Sequence, residues 1–136
     1  MARSTTGQLL AFHFVHESGD HAALERVAPR MYQQLPDDEV LTEGVYCLPA
    51  WRGGTVAARM LKATGSLVAV AGKRRAWAYL DTKNVASLRM FKRAGYVPAG
   101  TERVDRYRLG MYRSTFQSLS PQGRDDWNAA TADSSA

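Results

Sequence analysis

The chain has a single cysteine, Cys47, so no intrachain disulfide can form; a reducing setting and a cytoplasmic address are expected. It has no apolar run of the ~20 residues a bilayer span needs. Its opening, MARSTTGQLL, lacks the apolar core of a secretory signal, so no membrane partner is expected. No Gly-Lys-Ser/Thr stands at a Walker offset, and no Gly-x-Gly-x-x-Gly occurs. His13, His16 and His21 have no metal-ligand company, so no metal is expected. The net charge of +5 is too small and too dispersed for the concentrated basic face of a nucleic-acid binder. Its basic bunches, at 73–75, 89–93 and 103–113, read first as solvated strand ends and helix faces.

What is present is enough for one core: 136 residues make a single domain. Residues 7–16, GQLLAFHFVH, read as a strand, and alternation puts His13 opposite Phe12 and Phe14, toward solvent or a cleft. Residues 21–35 have near-helical apolar spacing, kinked at Pro29. Residues 40–49 return to a strand that Pro49 ends. A helix runs from Gly54, with Val56, Met60, Leu61, Leu67, Val68 and Ala71 as its buried stripe and Gly72 as its C-terminal cap. A strand over 74–81, a helix over 82–96 and a hairpin over 96–116 follow. The tail, 117–136, turns polar and is expected to fray. Alternating strands and helices predict an α/β (α+β) domain over 1–116, with a mixed, mostly antiparallel twisted sheet and helices on both faces.

One stretch, LPAWRGGTVAARML (48–61), asks for a chemical explanation. The first N–H groups of a helix lack internal partners, and the helix dipole is positive there. Gly53 and Gly54 remove side chains that would keep a ligand from those amides, and Arg52 adds a cation. This suits a phosphate or pyrophosphate. The same glycines would also serve a tight strand-to-helix turn, and Arg-Gly-Gly alone favours that reading. A second signal comes later: DTKNVASLRMFKRAGY places Asn84 at a strand-to-helix junction and ends the helix on Gly95-Tyr96.

Taken together, the two segments resemble the GNAT superfamily of N-acetyltransferases, over about residues 38 to 110. Pro49, Arg52, Gly53, Gly54 and Ala57 match that family's strand-to-helix phosphate loop, with Thr55 where a second loop glycine is usual. Asn84 and Gly95-Tyr96 match its later signature. The resemblance implies an acyl-coenzyme A fold in which the amides of Arg52, Gly53, Gly54, Thr55, Val56 and Ala57 hold the pyrophosphate of acetyl-coenzyme A. The strand edge at Val45, Tyr46 and Cys47 would pair with the pantetheine arm. Asn84 would contact the cofactor or support the splayed strands; it would serve equally well as the cap of the helix it opens.

Acetyl transfer needs a neutral amine, a donor for the oxyanion and a proton for the leaving thiolate. Glu43, on the same strand, is the expected base, and backbone N–H groups near Cys47 the expected oxyanion donors. Where the family often has a proton-donating Tyr the chain has Phe91, which leaves Tyr79 or Tyr96 for that step. Cys47 itself reads as a small buried hydrophobe. The segment before residue 40 is short for the helices that wall the family's acceptor site. Residues 21–35, or a second subunit in a homodimer joined at sheet edges, would take their place. The expected activity is acetyl transfer to a small-molecule or peptide amine. The alternative is a non-catalytic acyl-coenzyme A-binding or protein-interaction module.

Overall fold

The computed structural model describes residues 1–29, 31–108 and 111–132, with the side chains of 101–116 and 130 left aside. The basic bunch at 103–113 therefore lies outside the described side chains, and residues 133–136 lie outside the described chain.

Two antiparallel pairings and one parallel pairing build the main sheet, in the order β1 (Ala2–Arg3), β2 (Leu9–His16), β3 (Glu39–Cys47), β4 (Arg75–Trp77). Four helices accompany it: α1 (His21–Val27), α2 (Val56–Val70), α3 (Val85–Arg93) and α4 (Pro121–Thr131). A hairpin of β5 (Thr101–Arg108) and β6 (Met111–Ser118) forms a separate two-stranded sheet. The expected α+β class and mixed, mostly antiparallel main sheet are present.

The core lies between the sheet and the first half of α2. Leu10, Ala11, Val40 and Leu41 on the strands and Ala57, Ala58, Met60 and Leu61 on α2 are all buried, and α2 packs on β2 and β3. Small residues at the start of α2 let its backbone approach the sheet closely. The second half of α2 runs past that cover, and Leu67, expected in the buried stripe, is 70% exposed. Gly72 adopts φ +78 at the end of α2, in the expected cap position. α3 packs on α2, and α4 on α3.

On the opposite sheet face the cover is not a long helix. The apolar spacing over 21–35 yields only the short α1, because Pro29 cannot continue it. The chain then runs without regular structure past Tyr32, whose side chain is buried. The tail differs from expectation in the other direction. Residues 121–131 form α4: Ser120 accepts from the Gly123 amide at 3.0 Å and Pro121 occupies the first turn. Lys92 Nζ ties its far end down, donating to Thr131 O at 3.0 Å and Thr131 Oγ1 at 3.2 Å.

Candidate functional site

The site is set by two departures from a regular sheet. In the first, β2 and β3 shift register: Phe12 pairs with Tyr46 but Phe14 with Glu43, so β3 carries one extra residue. That bulge holds Gly44 at φ +61, and a Cβ there would lie 2.9 Å from Phe14 Cδ2. Only glycine meets both demands without strain. In the second, parallel pairing between β3 and β4 ends at Leu41 and Trp77, although β3 continues to Cys47. The strand expected over 74–81 is therefore three residues long. Past Trp77 the chain turns toward α3 through Asp81, whose carbonyl accepts from the Asn84 amide at 2.9 Å.

A cleft of about 240 Å³ occupies the opening, bordered by Thr42, Glu43, Gly44 and Val45 on one side and Tyr79, Leu80, Asp81 and Asn84 on the other. Both expected catalytic residues, Glu43 and Tyr79, thus border the same space. Tyr32, which sequence periodicity hid inside a helix, also lines it, with its ring 5.8 Å from that of Tyr79. The Tyr32 hydroxyl donates to Glu43 Oε1, and His16 Nε2 stands 3.4 Å from Glu43 Oε2. His16 Nδ1 lies 4.0 Å from Asp20. Glu43 is therefore a held carboxylate with lone pairs to spare, at the lip of a cleft.

The remaining expected residues divide. Asn84 caps α3, its Oδ1 accepting from the Ser87 amide at 3.1 Å, and it also borders the cleft. Val45 borders the cleft, whereas Tyr46 and Cys47 lie beyond it on the way to the loop. Cys47 Sγ donates weakly to Trp51 O at 3.3 Å. Arg52 folds back on the strand: its Nε donates to Cys47 O at 3.1 Å and its guanidinium lies 5.6 Å from the Tyr46 ring centroid. Gly53 takes φ +77 to turn the loop, while Gly54 has room for a side chain, the nearest atom to a built Cβ being Trp51 O at 3.6 Å. Thr55 precedes Val56 and Ala57 at the mouth of α2 without a side-chain capping bond, so the amides of the first turn keep no intrahelical partner.

Tyr96, the other hydroxyl considered, sits on the far side. It makes a 3.2 Å hydrogen bond with Thr42 Oγ1 and an edge contact with Phe91 at 4.9 Å. Burial raises its pKa, against the hydrogen bond from Thr42, so it stays a neutral phenol. Phe91, which cannot donate, also borders the cleft. His13 lies on the face opposite Phe12 and Phe14 and is half-buried. It shares a face with buried Ala11, on a strand α2 packs against, and its buried Nδ1 has no hydrogen-bond partner among the described residues. Burial, and then the N-terminal charge, lower its pKa.

Among the described residues no group of His, Cys, Asp and Glu is placed to hold a metal, and no helix is long and apolar enough to cross a membrane. No protein-family model matches the chain, and neither a curated protein nor a solved structure matches it significantly.

Proposed function

We propose that the protein is a GNAT-like N-acetyltransferase that moves the acetyl group of acetyl-coenzyme A to a primary amine by direct attack. The observation that carries this reading is the opened sheet: β3 loses β4 after Leu41 and leaves a cleft with Glu43 at its lip. A β3 edge without a strand neighbour offers N–H and C=O groups to an extended pantetheine arm around Val45, Tyr46 and Cys47. The Arg52 amide, expected among the donors, is engaged by Pro49 O at 3.2 Å, which leaves the amides from Gly53 to Ala57 to meet the pyrophosphate.

In this reading Glu43, held by Tyr32 and His16, takes a proton from the ammonium directly or through water. The amine nitrogen attacks the thioester carbonyl, and an amide of the β3 edge stabilises the oxyanion. The C–S bond breaks as the C–N bond forms. The leaving thiolate takes a proton from Tyr79, and the extra proton of the attacking nitrogen returns through water to the Tyr79 phenolate, giving an acetamide, free coenzyme A thiol and a neutral Tyr79. Arg52 in this reading stabilises the end of β3, because its side chain is committed to Cys47 O and Tyr46.

A second reading, a non-catalytic acyl-coenzyme A-binding module, draws on Phe91 standing in the cleft where the family often has a hydroxyl. The cytoplasm is the address that a lone, unpaired cysteine favours. A homodimer is proposed through the outer edge of β4, which among the described residues pairs with β3 alone. Light scattering behind size exclusion measures that state directly.

Isothermal titration with acetyl-coenzyme A tests the shared part of both readings. The wild type should bind and Gly54→Glu should not, because a carboxylate would face the pyrophosphate at a position with room to fold around it. Equal heats from the two proteins would remove the phosphate loop from the account. Thiol release with a panel of amines then separates the enzyme from the binding module.

A further inference from the structure

The sheet face bearing Glu43 carries a row of rings, of which Phe12 and Phe14 have no part in the acetyl transfer proposed above. Tyr46 and Phe12 stand 5.5 Å apart by ring centroid, Phe12 and Phe14 5.8 Å, and Phe14 and His16 6.3 Å. His16 then reaches Glu43 at 3.4 Å. The row lies across the β2–β3 pairing, which fixes the backbone positions it rises from. It is also open: Phe14 is 55% exposed and Tyr46 41%. Tyr46 is already faced by the Arg52 guanidinium, which leaves the Phe14 end, beside the carboxylate, as the free part of the surface.

We propose that this face is the acceptor site and that the acceptor is an arylalkylamine, its ring on Phe14 and its ammonium on Glu43. Phe14 and Glu43 are direct cross-strand partners, which sets their Cβ atoms about 5 Å apart. The ring and the carboxylate therefore rise side by side from one sheet face, where an amine carried on a short spacer from an aromatic ring can touch both. The charge is of the right sign: Glu43 and Asp20 flank His16, and the nearby cations Lys73 and Arg74 are engaged with Glu17 and with Asp38 and Glu39. An aryl carboxylate would meet repulsion at the same place. An alkylamine would gain the charge contact without the ring contact, which adds to simple area burial. The inference rests on acetyl transfer for the fate of the amine, not for its binding.

The test is a titration of the full chain, without acetyl-coenzyme A, followed by saturation-transfer NMR with phenethylamine, butylamine and phenylpropionate. Phenethylamine should bind at least tenfold tighter than butylamine, with saturation strongest on its ring protons, and phenylpropionate should not bind. Phe14→Ala and Glu43→Gln should each raise the Kd for phenethylamine about tenfold. Phe14→Leu keeps apolar bulk for folding and should show the same loss. Equal binding of phenethylamine and butylamine, binding of phenylpropionate, or an unchanged Kd in Phe14→Leu would each overturn the proposal. A complete assay then separates the two ideas. Phenethylamine binding without thiol release would sink acetyl transfer and leave this site standing. Thiol release from butylamine but not from phenethylamine would do the reverse.

Discussion

Replacing Gly44 with alanine adds one methyl group, yet the bulge makes that methyl costly for two separable reasons. The backbone sits at φ +61, where an L-residue loses ~1–2 kcal/mol. The new Cβ would also lie 2.9 Å from Phe14 Cδ2. Phe14 is 55% exposed, so its ring can swing outward and relieve much of the overlap. A total near ~2 kcal/mol follows. At about 2.1 cal/mol/K per residue, a 136-residue chain unfolds with an entropy of about 0.29 kcal/mol/K, so Tm should fall by ~7 °C. Gly65→Ala is the matched control. Gly65 lies inside α2 with nothing within 4 Å of a built Cβ, and alanine there should add ~1 kcal/mol and raise Tm by ~3 °C. Differential scanning calorimetry of the pair decides it: the same substitution should move Tm in opposite directions. If Gly44→Ala melts within 2 °C of wild type, roughly the resolution of the argument, the bulge is not where the register shift puts it.

Three further outcomes are expected. Glu43→Gln should lower amine-dependent thiol release by at least about a hundredfold while leaving acetyl-coenzyme A titration unchanged; a variant with full turnover would remove Glu43 as the base. Tyr32→Phe keeps the ring and loses the hydroxyl that donates to Glu43, so it should cost about 1 kcal/mol in a denaturant melt and slow turnover with the Glu43 carboxylate less firmly held. His13 gives a pH signature. Its folded-state pKa lies below the ordinary 6.5, so the unfolded chain binds the extra proton first. Stability is therefore full above about 6.5 and declines as pH falls from there through the lowered folded value. His13→Gln should flatten that part of the Tm-against-pH curve, and an unchanged slope would mean His13 is not held away from water.

Legibility in the sequence followed the range of the signal. The loop from Pro49 to Ala57 could be read because its residues are adjacent and each carries a local reason: a strand-ending proline, a positive-φ glycine, a helix start. Glu43 and Tyr79 could be named but not brought together, since their common cleft depends on where β3 and β4 stop pairing. The contact between His16 and Glu43 needs the β2–β3 register, and the bulge shifts that register by one. A lone glycine inside a strand pattern does hint at a bulge, and Gly44 is such a glycine. Tyr32 was hidden by an apolar spacing that continues past Pro29 after the helix has ended. α4 was hidden by composition: Ser120-Pro121 is a helix start, but the small polar residues around it suggested fraying.

The bulge and the cleft belong to one piece of geometry. A parallel neighbour can follow β3 only while its backbone keeps an even pleat, and a bulge bends and twists a strand locally. Pairing with β4 stops at Leu41, and the bulge begins two residues later, at Glu43 and Gly44. On the other side of β3 the antiparallel partner continues, because Phe12 and Ala11 resume pairing with Tyr46 and Cys47 beyond the extra residue. The same distortion that closes over Phe14 on one edge therefore opens the other edge and points Glu43 into reach of both Tyr32 and His16. Straightening β3, by deleting Gly44, should extend the β3–β4 ladder and narrow the cleft, while Tyr46 and Cys47 keep their partners Phe12 and Ala11 and their faces of the sheet. Such a variant that still bound acetyl-coenzyme A would show that the opened edge is not the cofactor's seat.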